Sequence, residues 1–206
     1  MTTKERILEE ALTLFSRQGY KATGVRQIAA AVGIRDASLY KHFKSKEDIF
    51  RGIMDLIEEH IGGFSPELGL PRWEGESLDA DTEPLVHLDL ETMKVISRKA
   101  FLFYLTDPYL SRFRRLAHLE RYREPEIYRR YYKLFMEDAV SYLTRLFEVL
   151  MKRGTFRQGD PRGAALHYYA PIYFLLDQYE GCEERAEEAA TILDQQIEAF
   201  YSLYHQ

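Results

Sequence analysis

Residues 25–48, VRQIAAAVGIRDASLYKHFKSKED, determine the fold of the N-terminal part of the chain. Three apolar residues share one face of a first helical turn: Ile28, Ala29 and Val32. Gly33 follows at once, and glycine tolerates the positive φ that a tight turn requires. Leu39 and Phe43 are four residues apart, which predicts the inner face of a second short helix. The pattern is typical of a helix-turn-helix, and an ordinary αα-hairpin has the same spacing.

The second helix has a polar outer face that suits contact with DNA. The groups on that face are Ser38, Tyr40, Lys41 and His42. The run from Gly33 to Lys46 resembles the signature of the TetR family of bacterial transcriptional regulators. The matching positions are Thr23, Ile28, Ala29, Gly33, Leu39, Tyr40, Phe43 and Lys46. The resemblance covers residues 5–50 without gaps. It departs at Gly24, where the family often has a Ser or Thr cap, and glycine is nearly as good a cap.

The resemblance implies a ligand-responsive repressor that binds a palindromic operator as a homodimer. Residues 1–46 would form the DNA-binding domain, and residues 47–206 would bind an effector and form the dimer. The candidates for base contact are Arg26, Ala37, Ser38 and Lys41. The candidates for phosphate contact are Thr23, Tyr40, His42 and Lys46. Double-stranded DNA and a small apolar or aromatic effector are therefore the expected partners.

Charge is distributed unevenly along the chain, whose net charge is −5. Residues 1–50 hold nine Lys and Arg against six Asp and Glu, a net charge of +3. The remaining residues hold 19 basic and 27 acidic side chains, a net charge of −8. A basic N-terminal segment on an acidic body fits a protein that presents one end to phosphate.

The sequence offers little for catalysis, for a metal or cofactor, or for a membrane. Cys182 is the single cysteine, so an intrachain disulfide is excluded. No histidine lies four residues from another histidine or cysteine, and no nucleophile elbow or phosphate-binding glycine loop is present. Glu5 and Glu9 rule out a signal peptide at the N-terminus. The apolar run over residues 164–176 is too short to span a bilayer. We therefore expect a cytoplasmic protein that is not an enzyme and needs no cofactor.

The rest of the chain predicts an all-α protein of about nine helices. Thr2 and Glu5 form a capping box at the start of the first helix. Residues 63–83 are rich in Gly, Pro and acidic residues, which predicts a long loop. Pro125 and the pair Asp160–Pro161 are start signals for later helices. No strand-like alternation is evident.

Aromatic residues are abundant in the body, with 15 Tyr and 12 Phe in the whole chain. The candidates for effector contact are Phe103, Tyr104, Tyr131, Phe135, His167 and Tyr168. The same side chains also fit an ordinary core or a dimer interface, because aromatic rings bury much area and keep a polar tip. The last two helices are the expected dimer interface. One alternative is an all-α small-molecule binder or enzyme with a degenerate DNA-binding head, and another is a constitutive DNA-binding protein without an effector.

Overall fold

The computed structural model describes residues 1–64, 68 and 88–205, and these residues are almost entirely helical. The α-helices within them are α1 (Thr3–Gln18), α2 (Val25–Val32), α3 (Asp36–Leu39), α4 (Lys46–Phe64), α5 (Leu90–Thr106), α6 (Pro108–Glu120), α7 (Pro125–Tyr132), α8 (Asp138–Lys152), α9 (Pro161–Gln178) and α10 (Ala186–Tyr204). A π-helical segment, Lys133–Glu137, joins α7 to α8, and a 3₁₀ turn, Glu183–Arg185, precedes α10. Counted as uninterrupted helical stretches, the described ranges hold nine helices, so the all-α prediction is confirmed. Outside these helices, the described residues include one isolated antiparallel β-bridge, between Phe156 and His205.

The chain divides into two compact units. The first unit contains residues 1–62 and 108–131, and the second contains residues 63–107 and 132–206. The first unit is therefore discontinuous in sequence and combines α1–α3 and most of α4 with α6 and α7. The functional boundary expected after residue 46 stays a prediction. The loop predicted over residues 63–83 lies, apart from Gly63, Phe64 and Leu68, outside the residues that the structure describes.

Local signals in the sequence account for the helix ends of the first unit. The Glu5 N–H donates to Thr2 Oγ1 at 3.2 Å and the Thr2 N–H donates to Glu5 Oε2 at 2.8 Å, which confirms the capping box. Gly33 ends α2 with φ 76° and ψ 32°, the left-handed conformation that glycine adopts without steric cost. Leu39 and Phe43 are both buried, as their spacing predicts.

The second hairpin helix is shorter than the spacing suggests. Its α-helical part ends at Leu39, and residues 40–42 continue it as turns, after which the Phe43 N–H donates to the Leu39 carbonyl at 3.1 Å. The core of the first unit is aliphatic and aromatic. It includes Ile7, Leu12, Phe15, Ile28, Leu39, Ile49, Ile53, Phe113 and Leu116, each with no exposed area.

The core of the second unit is built around aromatic rings. The Phe147 ring lies 5.6 Å from the Phe156 ring and 5.4 Å from the Phe200 ring, centroid to centroid. Asp89 caps α5 through the Thr92 N–H at 2.8 Å, and Asp160 caps α9 through the amides of the first turn. The α9 helix continues through Pro171.

Candidate functional site

The turn and the short third helix of the hairpin present an exposed, mostly polar edge. The predicted contact residues on this edge with exposed side chains are Arg26, Ala37, Tyr40, Lys41 and His42, and Ser38 is partly exposed. Tyr40 keeps 54% of its surface exposed, although its neighbour Leu39 is fully buried. An exposed aromatic side chain that is followed in the sequence by Lys41 and His42 is suited to contact with the phosphate backbone of DNA.

Arg26 forms an ion pair with an acidic residue of the next helix. Its Nε lies 3.2 Å from Asp36 Oδ2, and the Arg26 side chain is 91% exposed. An arginine guanidinium can donate two hydrogen bonds to a guanine edge. Asp36 was not predicted as part of the site, although its position at the start of the recognition helix is a visible signal.

Thr23 lies inside the protein, in contrast to the exposed residues above. Its side chain has no exposed area, its hydroxyl donates to the Gly19 carbonyl at 2.9 Å, and it accepts from Gln18 Nε2 at 3.0 Å. A threonine hydroxyl has one hydrogen to donate, and here that hydrogen is taken. The geometry therefore argues against Thr23 as a phosphate contact.

Lys46 fastens the turn between α1 and α2 to the start of α4. Its Nζ donates to the Tyr20 carbonyl at 2.9 Å and to the Thr23 carbonyl at 3.2 Å, and lies 4.3 Å from the centre of the Tyr20 ring. Burial, followed by the nearby Glu47 carboxylate, raises the pKa of Tyr20, so this ring stays neutral. An ammonium group has three donors, so one remains for a phosphate. The phosphate role of Lys46 stays a prediction.

The α6 helix and the residues after it contact the same turn. The Tyr20 N–H donates to Glu120 Oε1 at 2.7 Å, and Lys21 Nζ lies 2.5 Å from Glu124 Oε1. Glu120 is almost fully buried, and its Oε2 has no hydrogen-bond partner in the described part of the chain. Sequence reasoning missed both carboxylates. No local pattern could have revealed them, because about one hundred residues separate them from the turn.

The predicted effector contacts of the second unit are engaged with other aromatic and polar groups. Phe103 stacks on Phe64, with ring centroids 3.8 Å apart, and Tyr104 lies edge-on to Phe135 at 5.8 Å. Burial raises the pKa of Tyr104 to about 12. The Phe135 carbonyl accepts a hydrogen bond from the Tyr169 hydroxyl. These rings form one aromatic group on α4, α5 and the π-helical segment.

Tyr168 is part of a polar pair inside the second unit. The Ser97 hydroxyl donates to the Met93 carbonyl at 2.6 Å, and the Ser97 and Tyr168 oxygens lie 2.7 Å apart. Since the one hydrogen of Ser97 is already donated, Tyr168 is the donor of the second bond. Burial raises the pKa of Tyr168 as well.

His167 and Tyr131 lie apart from that group. His167 is exposed, and its Nδ1 is 3.2 Å from the Tyr204 hydroxyl. Tyr131 belongs to the first unit, where it is buried and its ring lies 6.2 Å from Phe113 and 5.4 Å from His118. The six predicted effector contacts are therefore divided between the two units, and their role stays a prediction.

An apolar groove of about 550 Å³ runs along the outer face of α9 and α10. Its lining is almost entirely apolar, and its largest side chain, Phe174, is 63% exposed. The other residues of the groove are His167, Ala170, Pro171, Leu175, Gln178, Ile192 and Gln196. Exposed apolar grooves are typical of protein–protein interaction sites and of ligand-binding sites.

Two family models together match most of the chain. Residues 7–53 match the model described as bacterial regulatory proteins, tetR family. Residues 91–206 match the model described as the C-terminal domain of AefR-like transcriptional repressors. The first match contains the hairpin and the second contains the groove.

Individual relatives agree with these matches. The chain is 37% identical over 100 residues to the HTH-type transcriptional regulator AcrR of Shigella flexneri, an alignment that covers 48% of this chain and 46% of AcrR. It is 46% identical over 48 residues to IcaR of Staphylococcus epidermidis, a negative regulator of a biofilm operon, covering 23% of this chain and 26% of IcaR. The aligned segments thus span less than half of these curated relatives.

One solved structure is similar over the whole chain. It is a complex with triclosan of SmeT, the repressor of a multidrug efflux pump of Stenotrophomonas maltophilia. The TM-score is 0.72 at 20% sequence identity, and the alignment covers 100% of this chain and 93% of SmeT. This likeness concerns the fold.

Proposed function

Because the chain belongs to the TetR family of bacterial regulatory proteins, we propose that it is a ligand-responsive repressor. In this proposal two copies bind a palindromic operator, and a small effector releases them. The observation that carries the proposal is the exposed edge of the hairpin, where Arg26, Lys41 and His42 surround a recognition helix whose inner face is fully buried. In a helix-turn-helix protein that helix enters the major groove, and the dimer places the two helices about one helical turn of DNA apart.

Four residues are the proposed base contacts: Arg26, Ala37, Ser38 and Lys41. Three are the proposed phosphate contacts: Tyr40, His42 and the remaining N–H of Lys46. The exposure of Arg26 at the start of α2 supports the first assignment, because its guanidinium is accessible to a base edge.

The effector is proposed to be a small, uncharged aromatic molecule. Tyr104, Phe135 and Phe103 supply apolar rings, and Tyr168 with Ser97 supplies a polar pair. The complex of SmeT with triclosan is a precedent for an aromatic ligand in this fold. The effector would favour a head spacing that no longer matches the operator, which is a shift between two populations.

The dimer is proposed to form through α9 and α10. The exposed Phe174 and the apolar groove beside it support a second copy of this chain as the covering partner. A two-fold interface of this kind uses the same patch on both copies. Sedimentation at micromolar concentration should give about twice the chain mass of 24.3 kDa. Phe174→Glu should lower that mass, whereas Val95→Glu, at an exposed valine on α5, should not. A wild-type monomer would contradict the proposal.

The test of the function is selection of DNA by the purified protein from a pool of random duplexes. The expected result is an inverted repeat, because a two-fold dimer reads the same sequence twice. Arg26→Ala should weaken binding to that sequence, and Arg153→Ala serves as a control at an exposed arginine of the second unit. A pool that shows no enrichment would refute the proposal and favour a body with a degenerate head.

Effector response needs its own measurement. A panel of uncharged aromatic compounds, beginning with triclosan, should contain members that release the selected duplex from the protein. Tyr168→Phe should weaken the response to compounds with a hydrogen-bonding group more than to pure hydrocarbons. If the whole panel fails while operator binding is strong, the constitutive alternative is favoured. We also propose that the protein acts in the cytoplasm, where operator DNA is found, and that it is not an enzyme. Within the described ranges, no helix is both long enough and apolar enough to cross a membrane.

A further inference from the structure

Basic charge is concentrated in the first unit beyond the hairpin itself. By sequence, the residues of the first unit hold 17 Lys and Arg against 12 Asp and Glu, and those of the second hold 11 against 21. Residues 108–131 alone contribute seven arginines and three glutamates to the first unit. Residues 108–131 therefore supply most of the excess positive charge of the first unit. The hairpin function described above does not use their arginines.

The connection between α6 and α7, residues 121–124, presents the most exposed part of this charge. Arg121 and Arg123 are exposed, and Tyr122 between them keeps 87% of its surface exposed. The Arg121 guanidinium lies 4.8 Å from the centre of the Tyr128 ring and 5.6 Å from the centre of the Tyr122 ring. Among the described residues, no carboxylate lies within 4 Å of the guanidinium of Arg121 or Arg123. Two cations and a hydroxyl are thus exposed to solvent, and no described carboxylate neutralises the two cations.

This connection is attached to the DNA-binding hairpin within the same unit. Glu120, just before it, accepts the Tyr20 N–H, and Glu124, at its end, pairs with Lys21. The α2 helix begins only four residues after Tyr20, with Gly24 as its N-cap. Four residues span at most about 14 Å. When the start of α2 binds DNA, an extended arginine side chain at the connection is therefore within reach of the neighbouring stretch of DNA backbone.

We propose that the α6–α7 connection is a second DNA-contact site, in which Arg121, Tyr122 and Arg123 bind phosphates of the DNA that flanks each half-site. This inference rests on the proposed operator-binding function and extends it to DNA outside the recognised sequence. Its ligand is the phosphate backbone, so it contributes affinity without reading bases. Stacking on Tyr128 holds the Arg121 guanidinium in place before DNA binds, which reduces the entropy lost in the contact.

Charge favours DNA over a protein partner at this surface. A protein interface core is depleted of charged groups, whereas a DNA-contact surface is polar and strongly positive. Here the exposed groups are two arginines around one aromatic ring, and neither arginine has an ion pair within the described part of the chain. An acidic protein partner is the competing explanation, and the experiment below separates the two.

The experiment compares two duplexes that carry the sequence selected by the protein. The short duplex ends at the outer base pair of each half-site, and the long duplex extends ten base pairs further on each side. Binding is measured over a series of salt concentrations for the wild type, Arg121→Ala/Arg123→Ala and Arg121→Lys/Arg123→Lys. Arg153→Ala/Arg162→Ala is the control, since it removes two exposed arginines of the second unit.

The wild type should bind the long duplex more tightly and with a steeper salt dependence than the short one. Each lost phosphate contact lowers the slope of log K against log salt by about 0.9. Two contacts in each protomer of a dimer therefore predict a slope lower by about 3.6 for the alanine variant on the long duplex. The lysine variant should keep most of the slope, and the control should behave as the wild type on both duplexes.

The outcomes separate this inference from the proposed function. An unchanged slope for the alanine variant on the long duplex would overturn the inference and leave the function intact, as would an equal loss on both duplexes. A wild type that selects no sequence would refute the function itself. Arg121 and Arg123 are exposed and form no ion pair with the residues that the structure describes, so circular dichroism should show unchanged folding.

Discussion

Gly19 closes the end of α1 in a conformation that few other residues adopt, which allows a quantitative test of the contact between α1 and α6. Its φ is 92° and its ψ is 160°. A Cβ atom added at this position would lie 2.6 Å from Glu120 Oε1. That oxygen is the acceptor of the Tyr20 N–H. We therefore expect Gly19→Ala to impose two separate penalties, one on the backbone and one on the carboxylate.

The two penalties are of similar size. Holding an alanine in this region of φ and ψ costs about 1–3 kcal/mol. Moving the Glu120 carboxylate away leaves the partly buried Tyr20 N–H without its acceptor, which costs about 1–3 kcal/mol more. The free energy of unfolding should therefore fall by about 2–6 kcal/mol in Gly19→Ala, a large share of the stability of an ordinary domain.

The assay is urea unfolding of the wild type, Gly19→Ala, Glu120→Ala and the double variant. Glu120→Ala removes the atom that the new methyl group meets, so Gly19→Ala should cost only the backbone strain in that background. The coupling between the two substitutions should then equal the carboxylate penalty of about 1–3 kcal/mol, and a double-mutant cycle resolves a value of this size. If Gly19→Ala costs the same in both backgrounds, the carboxylate does not meet this turn in solution and the reasoning fails.

Three further predictions concern other groups. Lys46→Met should lower the free energy of unfolding by about 1–3 kcal/mol, because two carbonyls lose a charged donor; urea unfolding tests this. If the third donor of Lys46 contacts a phosphate, the same variant should also reduce the salt dependence of operator binding, which a salt titration measures. Arg26→Ala should weaken operator binding by about 1–3 kcal/mol per half-site and reduce the base preference at one base pair. Asp36→Ala should change the free energy of unfolding by less than about 1 kcal/mol and reduce the base preference at the same base pair. Equal losses of affinity for operator and scrambled DNA in the Arg26 variant would reassign it to the phosphate contacts. The Tyr104 pKa of about 12 means that the folded state keeps a proton, whereas the unfolded state loses that proton from about pH 10 upward. The free energy of unfolding should therefore fall as the pH rises from about 10 to about 12. Tyr104→Phe should make this fall smaller, as measured by thermal unfolding across that pH range.

The sequence predicted those parts of the fold that depend on neighbouring residues. The capping box at Thr2, the left-handed Gly33 and the start of α9 at Pro161 each involve groups within four residues of one another. Apolar spacing gave the helices for the same reason, since one face of a helix is defined by residues three and four apart. The number and order of the helices follow from these local rules.

The side-chain partners of the candidate site follow different rules and were harder to predict. Thr23 carries a hydroxyl that could bind a phosphate, but this hydroxyl donates to the Gly19 carbonyl inside the protein. A sequence does not state the direction of a side chain in a turn. Glu120 reaches a turn one hundred residues away. The π-helical segment, Lys133–Glu137, has no recognisable signal in the sequence either, because an apolar period continues through it.

The discontinuity of the first unit has a consequence for the order of events during synthesis. The α1 helix packs against α6, in which Phe113 and Leu116 are fully buried, so residues 1–62 alone leave apolar surface in water. The ribosome adds about 5–20 residues each second. The 69 residues between positions 62 and 131 therefore take roughly 3–14 s to make. During that interval the nascent DNA-reading segment lacks its last two helices, and we expect it to gain full resistance to proteases only when residue 131 has left the exit tunnel.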